Sequence, residues 1–137
     1  MKYRRGFKYQ LAERYEQIVP IPIDVEIRTE FINFEPIDTE TSKLIIKSGY
    51  ACDGPSGITI DSPSSIRPAF VHDAFYQLMR HKHLPKSLRK TIDSLLLADL
   101  IKEGMDEGRA KVWHRMVRIF GSASADPKNK KKIYEAP

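Results

Sequence analysis

The spacing of apolar residues changes character part-way along the chain, and that change predicts two kinds of structure. Leu11, Tyr15 and Val19 sit in a partly alternating run that Pro20 and Pro22 interrupt. From Asp24 to Phe34 the alternation is cleaner. Val25, Ile27, Thr29 and Phe31 fall on one side, with Glu26, Arg28 and Glu30 on the other, which is the period of a half-buried strand. Glu35-Pro36-Ile37-Asp38-Thr39 reads as a turn and Lys43-Leu44-Ile45-Ile46-Lys47 as a third strand. The three runs predict a small antiparallel sheet.

Between Gly49 and Arg67 the composition shifts to Gly54, Pro55, Ser56, Gly57, Ser62, Pro63, Ser64 and Ser65, a loop signature. Loops held on a rigid scaffold are where sites tend to lie, although a plain surface connection has the same composition. Beyond it the period becomes helical. Pro68 suits a first helical turn, and Val71, Phe75, Leu78 and Met79 form an apolar stripe as far as His81. Ser87 is a candidate N-cap for a second helix, with Leu88, Ile92, Leu95, Leu96 and Leu100 inward and Gly104 as its stop. Asp106 is placed to cap a third, in which Trp113, Met116, Val117 and Phe120 recur at i, i+3, i+4 and i+7 before Gly121. The expected fold is α+β: a small N-terminal antiparallel β-sheet, a loop, an antiparallel helix pair and a third helix. Residues 1–121 form one domain, with a β-rich part (1–48), the loop (49–67) and a helical core (68–121). Residues 122–137 form a basic, mobile tail carrying Lys128, Lys130, Lys131 and Lys132.

Composition narrows the function classes. A chain of 137 residues with 41% hydrophobic and 30% charged positions is long enough for one packed core and too apolar to be mostly disordered. Its uncharged apolar stretches are only a few residues long, far from the ~20 that span a bilayer. The opening MKYRRGFKYQLAERYEQ lacks the apolar block of a secretory signal, so no export route is expected. Cys52 stands alone, which excludes an intrachain disulfide and a thiolate metal cage. The net charge of +5 favours anionic partners without choosing between lipid headgroups and nucleic acid.

One group stands out from the apolar stripes: His72, Asp73 and Tyr76, the pattern H-D-x-x-Y. On a helix His72 and Tyr76 are i, i+4 neighbours. Asp93 lies at the edge of the buried leucine face of the next helix. Antiparallel packing of the two helices would let it face His72, fix the imidazole tautomer and stabilise an imidazolium. The alternatives are a hydrogen-bonded structural histidine and an exposed Asp93 beside Arg89 and Lys90. Asp53 in the loop, Asp73 and loop carbonyls make an oxygen-only donor set that suits calcium better than zinc or copper. Asp53 could equally shape a turn.

His72-Asp73-Ala74-Phe75-Tyr76 followed by Ile92-Asp93-Ser94 resembles the active-site helix pair of phospholipase A2, the prokaryotic branch most closely. The order Asp53-Gly54, His72-Asp73, Asp93 and Val117-Arg118-Ile119-Phe120-Gly121 is similar to that family's pattern. The D-G-x-S loop, H-D-x-x-Y and V-R-x-F-G also resemble domain-of-unknown-function family 1353, small proteins of phage and prophage genomes. The resemblance covers roughly residues 45–121. It implies that His72 is the general base that activates water, that Asp93 orients it, and that Tyr76 supports the carboxylate. It implies calcium on Asp53, Asp73 and the Gly54 carbonyl, and hydrolysis of glycerophospholipid acyl esters. The implied partner is a phospholipid or anionic membrane surface, together with other phage virion proteins. The implied location is the host bacterial cytoplasm or the phage particle. The departures from the family are the missing disulfides and signal, the strand-rich start and the different loop.

Other classes fit less well. A His-Asp phosphohydrolase needs a metal-binding histidine upstream, and His72 is the first in the chain. His81 and His83 read as solvent-facing. Arg109, Lys111, Arg115 and Arg118 raise DNA binding by the third helix, but Gly108 and its apolar face fit a core helix, so nucleic acid is not expected. The rival of a different class is a noncatalytic virion or membrane-associated accessory protein. In it His72, Asp73 and Asp93 would only specify helix packing.

Overall fold

A computed structural model describes residues 1–4, 9–52 and 63–126. The fold is α+β, with small antiparallel sheets preceding the helices. The strands are β1 (Tyr3–Arg4), β2 (Tyr9–Leu11), β3 (Tyr15–Val19), β4 (Ile27–Arg28), β5 (Ile32–Pro36), β6 (Ser42–Ile46) and β7 (Ala51–Cys52). The helices are α1 (Pro63–Arg80), α2 (Arg89–Lys102), α3 (Glu107–Phe120) and α4 (Ser122–Ala125), with a 3-10 turn at Lys86–Leu88 before α2.

The strands form two sheets where the alternation predicts one. β1, β2 and β7 make a three-stranded sheet, and β3, β6, β5 and β4 pair in that order in a four-stranded one. The Leu11–Val19 run is therefore split between sheets, and the β-rich part extends past residue 48 to Cys52. The run from Asp24 to Phe34 is not one strand. The chain reverses at Thr29–Ile32, where Thr29 Oγ1 accepts from the Ile32 amide at 3.0 Å and the Thr29 amide donates to the Ile32 carbonyl at 2.8 Å. That reversal moves burial from Ile27 to the even positions Ile32 and Phe34, and leaves Val25 exposed. The β5–β6 turn is fixed by Asp38, whose Oδ1 accepts from the Glu40 and Thr41 amides at 2.8 Å each.

Register sets what the larger sheet presents to the helices. Gln17 lies opposite Leu44, Val19 opposite Ser42 and Phe34 opposite Leu44, so Val19, Ile32, Phe34, Leu44 and Ile46 share the inner face. α1 packs on that face and is buried on nearly every side, as a helix held between two layers must be. Phe75 meets Phe34 edge-on, with ring centroids 5.2 Å apart at 82°. A second, smaller core of Leu96, Leu100, Met105, Ala110, Trp113 and Val117 joins α2 to α3.

Several helix boundaries differ from the sequence expectation. α1 starts at Pro63, which takes the first helical position, so Pro68 lies in its second turn and the loop is shorter than 49–67. α1 closes on Lys82, which adopts a left-handed φ of 62° while the His83 amide reaches the Leu78 carbonyl at 2.8 Å. Ser87 does not cap α2, because it lies within the 3-10 turn that leads into the helix. Gly104 does end the turn after α2, at φ 97°, and Asp106 caps α3 by accepting from the Arg109 amide at 3.2 Å. Phe120 is exposed rather than inward, because the side chains α3 buries are Ala110, Trp113 and Val117. The tail does not start at 122: α4 forms there, and Ala125 is buried in the main core. Among the described residues no helix is long and apolar enough to cross a membrane.

Phe75→Ala removes the ring that links α1 to the sheet. It should cost about 3–5 kcal/mol of unfolding free energy in a urea titration. A loss below about 1 kcal/mol would show that this contact is not central to the core.

Candidate active site

The groups of the site come from three helices, and local sequence explains their direction. His72 and Tyr76 sit one turn apart on α1, and their rings lie against each other with centroids 4.2 Å apart, tilted by 36°. Asp93 lies in the second turn of α2, between Ile92 and the buried Leu96, so it faces inward with them. The exposed alternative for Asp93 is overturned: its side chain is 0% exposed. Its Oδ1 lies 2.7 Å from His72 Nε2 and accepts from the Tyr76 hydroxyl at 2.6 Å.

The other carboxylate oxygen is held by arginines. Arg118 Nη1 donates to Asp93 Oδ2 at 2.8 Å, and Arg89 Nη1 lies 3.4 Å away. Arg89 also donates to the Val117 and Arg118 carbonyls at 3.1 and 3.3 Å, so one guanidinium closes the C-terminal end of α3. The carboxylate therefore collects donors from α1, α2 and α3. Burial alone would push the Asp93 carboxyl up. The hydrogen bonds from His72 and Tyr76, with the imidazole and Arg118 nearby, outweigh it and hold the pKa below its ordinary value. Burial and the bond to Asp93 push the Tyr76 phenol up, so it stays a donor.

An ionised carboxylate only accepts, so His72 Nε2 carries the proton in this arrangement. The lone pair of the neutral ring then lies on Nδ1, which has no hydrogen-bond partner among the described residues. This is the polarity of a histidine poised to take a proton on one nitrogen while the other is held.

Asp73, the next residue on α1, is half-buried and points elsewhere, accepting from the Tyr50 hydroxyl at its Oδ2. Tyr50 is placed by the chain ends of the smaller sheet: its carbonyl accepts from the Leu11 amide at 2.8 Å. Burial, with the Asp73 charge beside it, pushes the Tyr50 phenol far up, so it donates and does not compete as an anion. Asp73 thus offers a hard, oriented carboxylate, which fits the donor chemistry calcium requires. Asp53 and Gly54 lie outside the described residues. Among the described residues no three His, Cys, Asp or Glu side chains group as metal ligands. His83 is exposed, as its position predicts, whereas His81 is only partly so.

Sequence reasoning named His72, Tyr76 and Asp93 and missed Arg89, Arg118 and Tyr50. Arg89 was legible as the i, i+4 partner of Asp93, and Arg118 as the one charged residue of Val117-Arg118-Ile119-Phe120-Gly121. Comparison with protein-family models, curated proteins and solved structures gives no match to this chain. The chemistry of the site therefore rests on its own geometry.

Two consequences are measurable. Because the folded Asp93 pKa lies below its ordinary value of 3.8, its contribution is complete above that value and lost as pH falls through the folded pKa. Unfolding free energy should fall with acid below about pH 4, more steeply in the wild type than in Asp93→Asn. Equal slopes would mean the carboxylate is not held. Gly121 is also constrained, since a Cβ there would lie 2.4 Å from the Val117 carbonyl oxygen and 2.6 Å from the Tyr76 hydroxyl. Gly121→Ala should cost about 1–3 kcal/mol in urea unfolding, by forcing Tyr76 off Asp93. An unchanged midpoint would refute that coupling.

Proposed function

We propose that this protein hydrolyses the acyl ester of glycerophospholipids, with His72 as general base. The observation that carries this reading is the buried His72–Asp93 bond of 2.7 Å, with Nδ1 left to accept a proton. A water hydrogen-bonded to Nδ1 loses its proton to the imidazole and attacks the carbonyl carbon. Asp93 stabilises the imidazolium that forms, and Tyr76 holds the carboxylate in place. The ester carbon–oxygen bond then breaks, and the proton passes from His72 to the departing alkoxide. The products are a fatty acid and a lysophospholipid. The resemblance of the H-D-x-x-Y, I-D-S and V-R-x-F-G segments to phospholipase A2 and to the phage-type family supports the lipid ester as substrate. Calcium would be held by Asp73 with Asp53 and the Gly54 carbonyl, and would supply polarisation of the ester carbonyl and charge for the oxyanion.

One observation favours a second reading. Asp93 faces both Arg89 and Arg118, so its charge is already compensated and it supports an imidazolium less than an unpaired acid would. In that reading the protein is a noncatalytic virion or membrane-associated accessory protein, and the network sets helix packing.

Titration of fatty acid released from mixed-lipid vesicles, with calcium or with chelator, separates the two. The hydrolase reading expects calcium-dependent release that falls by about 10²–10⁴-fold in a folded His72→Ala variant. Release no greater than a lipid blank, from folded protein at saturating lipid and calcium, rejects it. The ion has its own readout. Calcium should raise Tm, and Asp73→Asn should abolish the shift. Superimposable melting curves with calcium and with chelator would count against the ion.

A further inference from the structure

The outer helix α3 carries an apolar stripe that no described element covers. Its inner residues Ala110, Trp113 and Val117 are buried against α2. Beside them Val112, Ile119 and Phe120 are 56%, 60% and 53% exposed, and Met116 is half-buried. Positions 112, 116, 119 and 120 fall at i, i+4, i+7 and i+8, so they line one face of the helix. A contiguous apolar stripe rimmed by charged residues has the form of an interaction surface. The polar side of α3 carries Lys111, Arg115 and Arg118, and its acidic Glu107 is paired with Lys111 at 3.0 Å.

We propose that α3 is the surface by which this protein sits on an anionic lipid bilayer, with Ile119, Phe120, Val112 and Met116 entering the headgroup boundary. Apolar side chains on one face with basic residues beside them is the chemistry that an anionic interface recognises. The long stems of Lys111 and Arg115 let their charges stay at the phosphate level while the stripe goes below it. A nucleic acid would be met by the basic residues but would leave the stripe in water. A second copy of the chain would bring like-charged flanks together. Four side chains also cover roughly a few hundred Å², against the ~1,200 Å² or more that stable protein pairs bury. The inference rests on the exposed face of α3 and not on hydrolysis; a protein that never cleaves lipid would still bind by it.

The test is co-sedimentation of the full chain with vesicles of ether-linked lipids, which have no ester to cleave. One set contains phosphatidylcholine alone and the other adds phosphatidylglycerol. The wild type should bind the anionic vesicles, more weakly at high salt. Ile119→Asp and Phe120→Asp, both at exposed positions, should each weaken binding by about tenfold or more with unchanged circular dichroism. Phe120→Trp should show a blue-shifted emission on vesicles beyond the signal of Trp113. Absence of wild-type binding, or equal binding by the two Asp variants, overturns the proposal. So does a dimer in solution that Ile119→Asp dissolves, or binding to duplex DNA that outlasts both substitutions. Hydrolysis of a short-chain monomeric ester by the same variants reports on the His72 site separately, so loss of one reading leaves the other standing.

Discussion

A single buried carboxylate holds the helical layer together. Asp93 is fully out of water, and a charge in that position is tolerated only when its lone pairs are met by donors. His72, Tyr76, Arg89 and Arg118 meet them, and they come from α1, α2 and α3. Removing any one leaves a charge or a polar group buried without its partner. The carboxylate therefore fixes which turn of each helix faces which. Apolar contacts alone allow α2 and α3 to slide by a turn, because Leu96 and Leu100 on α2 repeat at i, i+4 as Trp113 and Val117 do on α3.

α2 is held at both ends by such polar contacts. Near its start is Asp93. Near its end Asp99 accepts from Gln17 Nε2 at 3.1 Å, and Arg67 of α1 reaches Glu103, Gln17 and, at 3.2 Å, the Tyr15 hydroxyl. Gln17 and Tyr15 lie on the inner face of β3, so the second cluster ties sheet, α1 and α2 together. Along the same helix Ile92, just before Asp93, and Leu96, between the two clusters, belong to different cores. The orientation of His72 thus depends on a helix whose register is set from both directions.

The sequence revealed the polar cluster more readily than the boundaries. His72, Tyr76 and Asp93 were legible because helical spacing places them at the rim of apolar stripes, and polar residues there need a partner. The third helix was legible from Asp106 and from Trp113 and Val117. The second sheet was not, because β1, β2 and β7 are two or three residues long and none shows a period. The reversal at Thr29 was hidden for a different reason. Thr29 continues the alternation while its hydroxyl bonds the turn, so the pattern reads through a corner. Phe120 was misplaced because an apolar stripe wider than its packing partner looks the same in sequence as one that is wholly covered. Arg89 and Arg118 were overlooked because a charge beside a buried face is usually solvated, and only the depth of Asp93 shows otherwise.

The same bonds that stabilise the helices bear on reactivity. Each donor that Asp93 gains deepens the well in which the helices sit, yet each positive donor also lessens the negative charge felt by the imidazole. Tyr76 and His72 share one oxygen, and the arginines share the other, so the two demands are divided between the two ends of one carboxylate. Oδ1 faces the imidazole and phenol of α1, and Oδ2 faces the arginines of α2 and α3. Arg89 closes the end of α3 whether or not it touches Asp93, because it also binds the Val117 and Arg118 carbonyls. Arg118 differs: its side chain is 33% exposed, and among the described residues its guanidinium meets the network at Oδ2 alone. Of the two arginines it is therefore the one whose removal changes the charge at the dyad with the smaller change in helix packing. Stability and basicity are separable at this site because the carboxylate has two oxygens and the fold assigns each a different neighbour.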